Sequence, residues 1–406
     1  MNRPTDLRSN EAQETFKEPA SFRKLVFAAF TLTGIITTIV GPILPHLSAR
    51  WGMSDARAGL FFTAQFVGSI TGVAIYTVLA PRRGLRFVIL AGYLTMMAGI
   101  VLFGVPVYAV AFGGMYVIGI SLGLVITGSN LFIASAPGGR RASAVSLLNV
   151  AWGVGAVLCP ILLGYAVAWV GTREYLTVLA GTIGAVLLAL FFSQAPAYAR
   201  KPAEHAKENA TGLRIHFPQA AMVFFLFCLY VGVENSFGGW CIPYAARMNG
   251  PFANLAKFTA SIFWASLLVG RILAPALLRR LSEFALVQTG LALMIVSSVM
   301  FVFVRSLPPL FVAVALGGLG CATIYPILVT WLTSHPGVRH PRVQGFAFAA
   351  GNLGGASLPP LVGAVSTRFG GLEAGFGVVV AASVTLLLLS QGFQRSVVRA
   401  LKQTDV

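Results

Sequence analysis

The chain has 406 residues, 57% of them hydrophobic and only 10% charged, with a formal net charge of +17 and a mean hydropathy of +0.81. That balance excludes a chain folded around an ordinary aqueous core, so lipid has to be the solvent for most of it. The basic excess raises nucleic acid as a partner until the basic residues are placed along the chain.

Roughly twenty mixed-charge residues precede the first apolar run, unlike a signal peptide, whose short basic start leads at once into an apolar core. The first helix is therefore expected to stay as an anchor. A bilayer core takes about 20 mostly apolar residues per helix. Such stretches recur at 24–48, 58–80, 86–105, 110–134, 143–170 and 172–194, then at 218–247, 255–278, 284–304, 308–334, 342–367 and 372–393. Pro or Gly inside the first, fifth, seventh and eleventh is expected to bend or break them. The polar, lysine-containing stretch 196–217 divides two sets of six. This predicts a tail at 1–22, a bundle at 23–195, a linker at 196–217, a second bundle at 218–394 and a tail at 395–406.

Assigning alternate connections to opposite sides puts only Arg50, Arg57, Arg173, Arg247, Lys257, Arg305 and Arg368 on one of them. Every other Lys and Arg except Arg271 falls on the side that holds both termini and the linker. By the positive-inside rule that side is cytoplasmic, and the chain is expected in the cell (inner) membrane with both ends inside. Nucleic acid is then unnecessary as a partner. Cys159, Cys228, Cys241 and Cys321 sit singly in apolar segments with no metal or redox spacing, and read as packing residues. Metalloprotease, hydrolase and nucleotide-loop motifs are missing and the five histidines are scattered, so neither an enzyme nor a cofactor or metal site is expected.

Slid against itself by 199 positions, the sequence pairs Gly119 with Gly318, Ser135 with Ser334, Pro137 with Pro336, Gly138 with Gly337 and Arg140 with Arg339. The same offset pairs Gly155 with Gly354, Pro160 with Pro359, Gly164 with Gly363, Gly171 with Gly370 and Glu174 with Glu373. A repeat of six helices enters the membrane with the same topology twice, the parallel arrangement of major facilitators. The expected fold is an all-α membrane protein with 12 transmembrane helices in two six-helix bundles. Repeated Gly would let helices approach closely, although any single glycine can equally be mere packing in lipid.

Tyr230-Val-Gly-Val-Glu-Asn-Ser-Phe-Gly-Gly-Trp240 and Phe263-Trp-Ala-Ser-Leu-Leu-Val-Gly-Arg271 resemble the seventh and eighth helices of the fucose permease-like branch, the fucose/galactose/glucose:proton symporters. Leu148-Asn-Val-Ala-Trp-Gly-Val-Gly155 and Gly351-Asn-Leu-Gly-Gly355 resemble its fifth and eleventh. The resemblance implies alternating access to one central site for a sugar or similar polar solute. It is incomplete. Members resembling fucose permease carry an acid in the first and fourth helices, whereas Thr31-Leu-Thr-Gly-Ile-Ile-Thr-Thr38 and Leu124-Val-Ile-Thr-Gly-Ser-Asn130 have none. Pro81 also stands near where the superfamily's loop acid would be, beside a retained Arg82.

Of the acids, only Glu234 lies away from tails, loops and helix ends. An ionisable residue at depth costs about 2.5 to 3.5 kcal/mol on insertion scales, so it normally faces a polar interior and marks a pathway. Glu234 is the candidate for proton coupling, against the plainer alternative of a helix–helix hydrogen bond. Arg271 is the one basic residue well inside a predicted helix. Glu234 lies roughly 24 Å from the cytoplasmic end of its helix and Arg271 about 20 Å from the outer end of a helix running the opposite way, levels that differ by roughly 15 Å, so no salt bridge between them is expected. Arg271 is grouped instead with Arg279 and Arg280 at the inner face, and Arg82, Arg271 and Arg279 are the gating candidates.

A sugar site combines amides or carboxylates, which bind hydroxyls, with flat aromatic faces. Candidates are Asn130 and Asn149 in the first half and Asn235, Trp240, Trp264, Tyr325 and Asn352 in the second, with Gln65 and Trp152 behind them. The superfamily resemblance, in which helices four, seven and ten line the cavity, favours Asn130, Glu234, Asn235 and Tyr325. Each alone is as readily a packing residue. His46 near the outer end of the first helix is a pH-sensing candidate of the weakest kind. Three functions stay open: import of a sugar-like solute with proton coupling, export of drugs or metabolites, and a receptor or scaffold without transport. The expected partners are a small-molecule solute, the lipid bilayer and a coupling proton, acting on a monomer.

Overall fold

The computed structural model describes residues 20–136, 141–196, 216–335, 338 and 340–404. The tail before residue 20, most of the predicted linker and most of the two Ser-x-Pro-Gly-x-Arg motifs lie outside them. The elements are α1 (Ala20–Thr38), α2 (Val40–Trp51), α3 (Asp55–Phe103), α4 (Tyr108–Ala134), α5 (Arg141–Trp169), α6 (Thr172–Phe192) and α7 (Phe217–Ala245). A short 3-10 helix (Ala253–Phe258) leads into α8 (Thr259–Leu277), followed by α9 (Glu283–Phe303), α10 (Leu307–Ala322), α11 (Ile324–Ser334), α12 (Pro341–Phe369) and α13 (Leu372–Thr404).

Among the described residues nine helices are long and apolar enough to cross a membrane, or ten if α1 and α2, bent by 43°, form one span. At 49 residues α3 is more than twice a bilayer core in length, and it breaks at Gly84, whose φ of 79° suits a residue without Cβ. It therefore holds two spans. α12 is less apolar but 29 residues long, which completes twelve spans in two sets of six. α1 begins and α13 ends on one face of the bundle, here the terminal face; α3 begins on the other, the Asp55 face.

Proline explains the breaks. Pro42 has no N–H for the Thr38 carbonyl and its ring crowds that group, so the first span parts at Ile39. Pro326 stands in the same relation to Ala322, and the tenth span parts at Thr323, a break not expected from the sequence. The bends expected in the fifth, seventh and eleventh spans do not interrupt α5, α7 or α12, which absorb Pro160, Pro243, Pro359 and Pro360 as continuous helices.

The repeat is visible as repeated contacts. A Cβ on Gly155 would strike the Thr31 carbonyl of α1, and a Cβ on Gly354 would strike the Cys228 carbonyl of α7. Gly119 likewise presses on the Gln65 carbonyl of α3, and Gly318 on the Phe263 carbonyl of α8. Both halves thus use glycines at one offset to bring equivalent helices into backbone contact. Gly171 and Gly370, again 199 apart, both take positive φ, 98° and 83°, at the turns that reverse the chain on the Asp55 face.

Candidate functional site

Among the described residues the halves join mainly through α2 with α7, α3 with α12, and α5 with α8 and the 3-10 helix before it. The polar bonds between them lie from mid-membrane to the Asp55 face. Arg247, past the end of α7, donates to both Asp55 carboxylate oxygens at 2.8 and 2.5 Å. Ser366 of α12 donates to the same carboxylate at 2.6 Å, and Thr367 accepts from the Ala56 amide at 2.9 Å. Farther in, the Thr63 hydroxyl donates to the Ala356 carbonyl at 2.8 Å and the Trp240 indole to the Pro359 carbonyl at 2.9 Å. The first of these crosses the seam; the second fixes α7 against α12 where Trp240 meets Phe62 of α3. Ser261 of α8 donates to the Val157 carbonyl of α5 at 2.9 Å. Gly41 and the pair Gly238 and Gly239 let α2 and α7 touch backbone to backbone. A cavity of about 290 Å³ remains on this side, with His46, Asn254 and Lys257 in its wall.

Toward the terminal face the described polar contacts run inside each half. Arg86 donates to the Phe191 and Ser193 carbonyls, Trp331 to Glu283, and Gln288 to Ser390. Among the described residues, the polar bonds that join the halves therefore lie along the Asp55 side.

Deep in the second half Arg271 Nη2 lies 3.2 Å from Glu234 Oε1. The expectation that depth keeps these residues apart is wrong, and the cause is where depth was measured. α7 has 29 residues and α8 only 19, so their ends on the terminal face are not level. From the opposite ends, Ala245 and Thr259, Glu234 lies about 16 Å deep and Arg271 about 18 Å. Arg271 consequently joins Glu234 rather than a cluster with Arg279 and Arg280, both exposed on the α8–α9 connection; Arg82 is exposed beside the Gly84 break. Tyr230 of α7, Cys321 of α10 and Tyr325 of α11 surround the pair. Tyr230 is itself fixed by donating to the Cys321 carbonyl at 2.9 Å.

The remaining candidates separate into groups. Trp152 and Trp264 meet across the halves edge to face at 5.6 Å. The Trp152 indole donates to Thr37, whose carbonyl accepts from Gln65, while the buried Trp264 indole N–H has no partner. Asn149 is exposed and its amide reaches Asn130 Oδ1 at 3.4 Å. Asn235 and Asn352 are half-buried, each donating to a carbonyl one turn back. Tyr325 packs with Phe227 and Tyr230. Trp240 is the exception: fully buried, with its N–H already bonded, it has no surface for a solute here and serves the seam between halves. Asp55, Arg247 and Ser366 were not singled out from the sequence, because an acid at a helix start and a base in a loop look like ordinary solvated charges until the fold apposes them.

The Major Facilitator Superfamily matches residues 26–307, more than half of the chain. The sodium-dependent glucose transporter 1A of Mus musculus is 23% identical over 381 residues, spanning 85% of this chain and 89% of its own. The solved nucleoside transporter NupG superposes with a TM-score of 0.75 at 14% identity, covering 92% of this chain and 99% of its own. The E. coli fucose:proton symporter FucP gives 0.63 at 15% identity over 92% and 99%, in keeping with the resemblance to the fucose permease-like branch. With twelve spans, a contact-level repeat and a family match that covers the first half and runs to residue 307 in the second, the chain belongs to the Major Facilitator Superfamily of integral membrane transporters and is not an enzyme.

Proposed function

We propose that the chain is a secondary transporter that imports a sugar or similar small polar solute by alternating access, with a proton carried by Glu234. The observation that supports this most is the placing of one acid and one base, Glu234 and Arg271, as an ion pair deep in the second half. The sugar solutes of the named glucose and fucose transporters favour the same class. Asn130, Asn149, Asn235, Trp264, Tyr325 and Asn352 are proposed to contact the solute, from both halves, with the amides serving hydroxyls and the rings serving C–H faces. The halves are taken as 23–195 and 218–394, joined by 196–217 and flanked by short tails. We place the protein in the cell (inner) membrane as a monomer, with the terminal face cytoplasmic by its excess of Lys and Arg. The conformation described is then latched on its outer side, as that of a transporter releasing its solute to the cytoplasm would be.

The test is uptake by proteoliposomes of a panel of sugars, with and without a proton gradient, for wild type and Glu234→Gln. Gradient-driven accumulation that is lost in the variant while exchange survives supports Glu234 as the proton carrier. Unchanged accumulation would demote Glu234 to a structural role, and a panel that does not move at all would remove the sugar.

A further inference from the structure

We propose that the solute is a sugar acid, a polyhydroxylated compound with one carboxylate, whose carboxylate replaces that of Glu234 on Arg271 when Glu234 takes up a proton. This rests on the transport function proposed above and narrows its solute class.

The site has more donors than acceptors. A guanidinium offers five N–H groups in a planar fork matched to a carboxylate. Arg271 makes one hydrogen bond to Glu234, at 3.2 Å, with the Tyr230 hydroxyl beside it, and its Nε is buried with no partner. The Trp264 indole N–H, two turns away on the same helix face, is also buried without a partner. Buried donors left unpaired are costly, and an incoming carboxylate supplies the lacking acceptor with a charge as well. The guanidinium is also the more open member of the pair, its side chain 23% exposed against 11% for Glu234.

Position makes Arg271 reachable. Along α8, Ser261 bonds to α5, Trp264 meets Trp152 and Leu268 lies against Gly153, so this face packs on the first half. Arg271 continues the same face three residues farther on, past the last of these contacts. On α5 the corresponding step beyond Trp152 is Asn149, exposed and paired with Asn130. A solute held by its carboxylate on Arg271 would find these amides for its hydroxyls.

Charge decides the stoichiometry. The groups around Glu234 are Tyr230 from its own helix, Arg271 from α8, Cys321 from α10 and Tyr325 from α11, and of these only Arg271 is charged at neutral pH. One guanidinium balances one carboxylate; a second one beside it is repelled until one of the two is protonated. A proton from solution therefore goes to the Glu234 carboxylate as the solute carboxylate takes its place on Arg271. One proton and one negative charge cross together, so transport is electroneutral. A doubly charged phosphate ester would leave a charge uncompensated in a low-dielectric site.

The experiment uses the purified full chain in proteoliposomes with glucose, galactose, glucuronate and galacturonate. Under an acid-outside gradient the two uronates should accumulate at least about tenfold more than the matching hexoses, and clamping the membrane potential with potassium and valinomycin should leave that accumulation unchanged. Uronate binding to wild type should weaken as pH rises, whereas Glu234→Gln should bind with no pH dependence. Arg271→Gln should lose uronate binding and Arg271→Lys should keep part of it, which separates a lost charge from a lost fold. Hexose uptake without uronate uptake would overturn the inference and leave the transport function standing. Uronate uptake that follows the potential would overturn the exchange, as would a pH-dependent Glu234→Gln. Failure of all four solutes would overturn both.

Discussion

Toward the Asp55 face the two halves bond to one another, through Arg247, Ser366 and Thr63, while toward the terminal face Arg86, Trp331 and Gln288 each bond within their own half. In the seams inside a half Gly155 and Gly354 press backbone on backbone with no room for a side chain. The boundary between halves is not uniform: on the Asp55 side Gly41 meets the Gly238 and Gly239 backbone and Gly363 meets the Asp55 carbonyl, as close as the seams inside a half. Only toward mid-membrane, where Gly153 meets the end of Leu268, does the boundary pass from backbone contact to side-chain ends.

The largest effect should come from breaking that distinction. Gly155→Leu or Gly354→Leu drives a side chain into a facing carbonyl, with an expected destabilisation of about 3 kcal/mol or more. Size-exclusion profiles and thermal unfolding in detergent should show loss of the folded monomer. Gly153→Ala should leave unfolding nearly unchanged, because the end of the half-buried Leu268 side chain can yield. Equal damage from all three would mean that the boundary between halves is as rigid toward mid-membrane as their interiors.

Next in size is the latch on Asp55. Arg247 is half exposed, so its pair with Asp55 contributes only about 0.2 to 1 kcal/mol, and the Ser366 bond adds roughly 1 kcal/mol. Asp55→Ala, which removes both contacts, should therefore shift the balance of conformations about 5- to 30-fold toward opening of the Asp55 face. Spin labels at Arg173 and Phe369, both exposed there and on opposite halves, should report a longer distance in the variant. An unchanged distance distribution would show that the apolar contacts alone keep this face shut.

A smaller effect is expected at Trp240. Trp240→Phe keeps the ring between α7 and α12 but leaves the Pro359 carbonyl without its donor, at about 1 kcal/mol. Because that bond lies within one half, the labels should stay at the wild-type distance while the unfolding temperature in detergent falls slightly. A shift as large as that of Asp55→Ala would show that this bond also holds the halves together.

Much of this architecture was legible in the residues. Apolar length predicted the spans, and the 199-residue offset predicted which glycines would repeat their contacts, because both depend on local sequence and on a backbone geometry common to all helices. Glu234 was legible as the acid at depth. Its partnership with Arg271 was not, since the relative level of two helices depends on how far each overhangs the bilayer, and α7 exceeds α8 by half its length. The break at Thr323 was not read although Pro326 signals it: bends were expected in the first, fifth, seventh and eleventh spans, while the tenth, with Gly317, Gly318, Gly320 and Pro326, was not among them.

The sequence by itself determined the solvent, the helix count and the duplication, all of which follow from one-dimensional patterns of apolar length and charge. Only the tertiary structure decided that Asp55, Arg247 and Ser366 form a latch, that Trp240 belongs to a seam, and that Arg271 answers Glu234. Those pairings join residues from 37 to 311 positions apart, and their energies come from distances that no local pattern encodes.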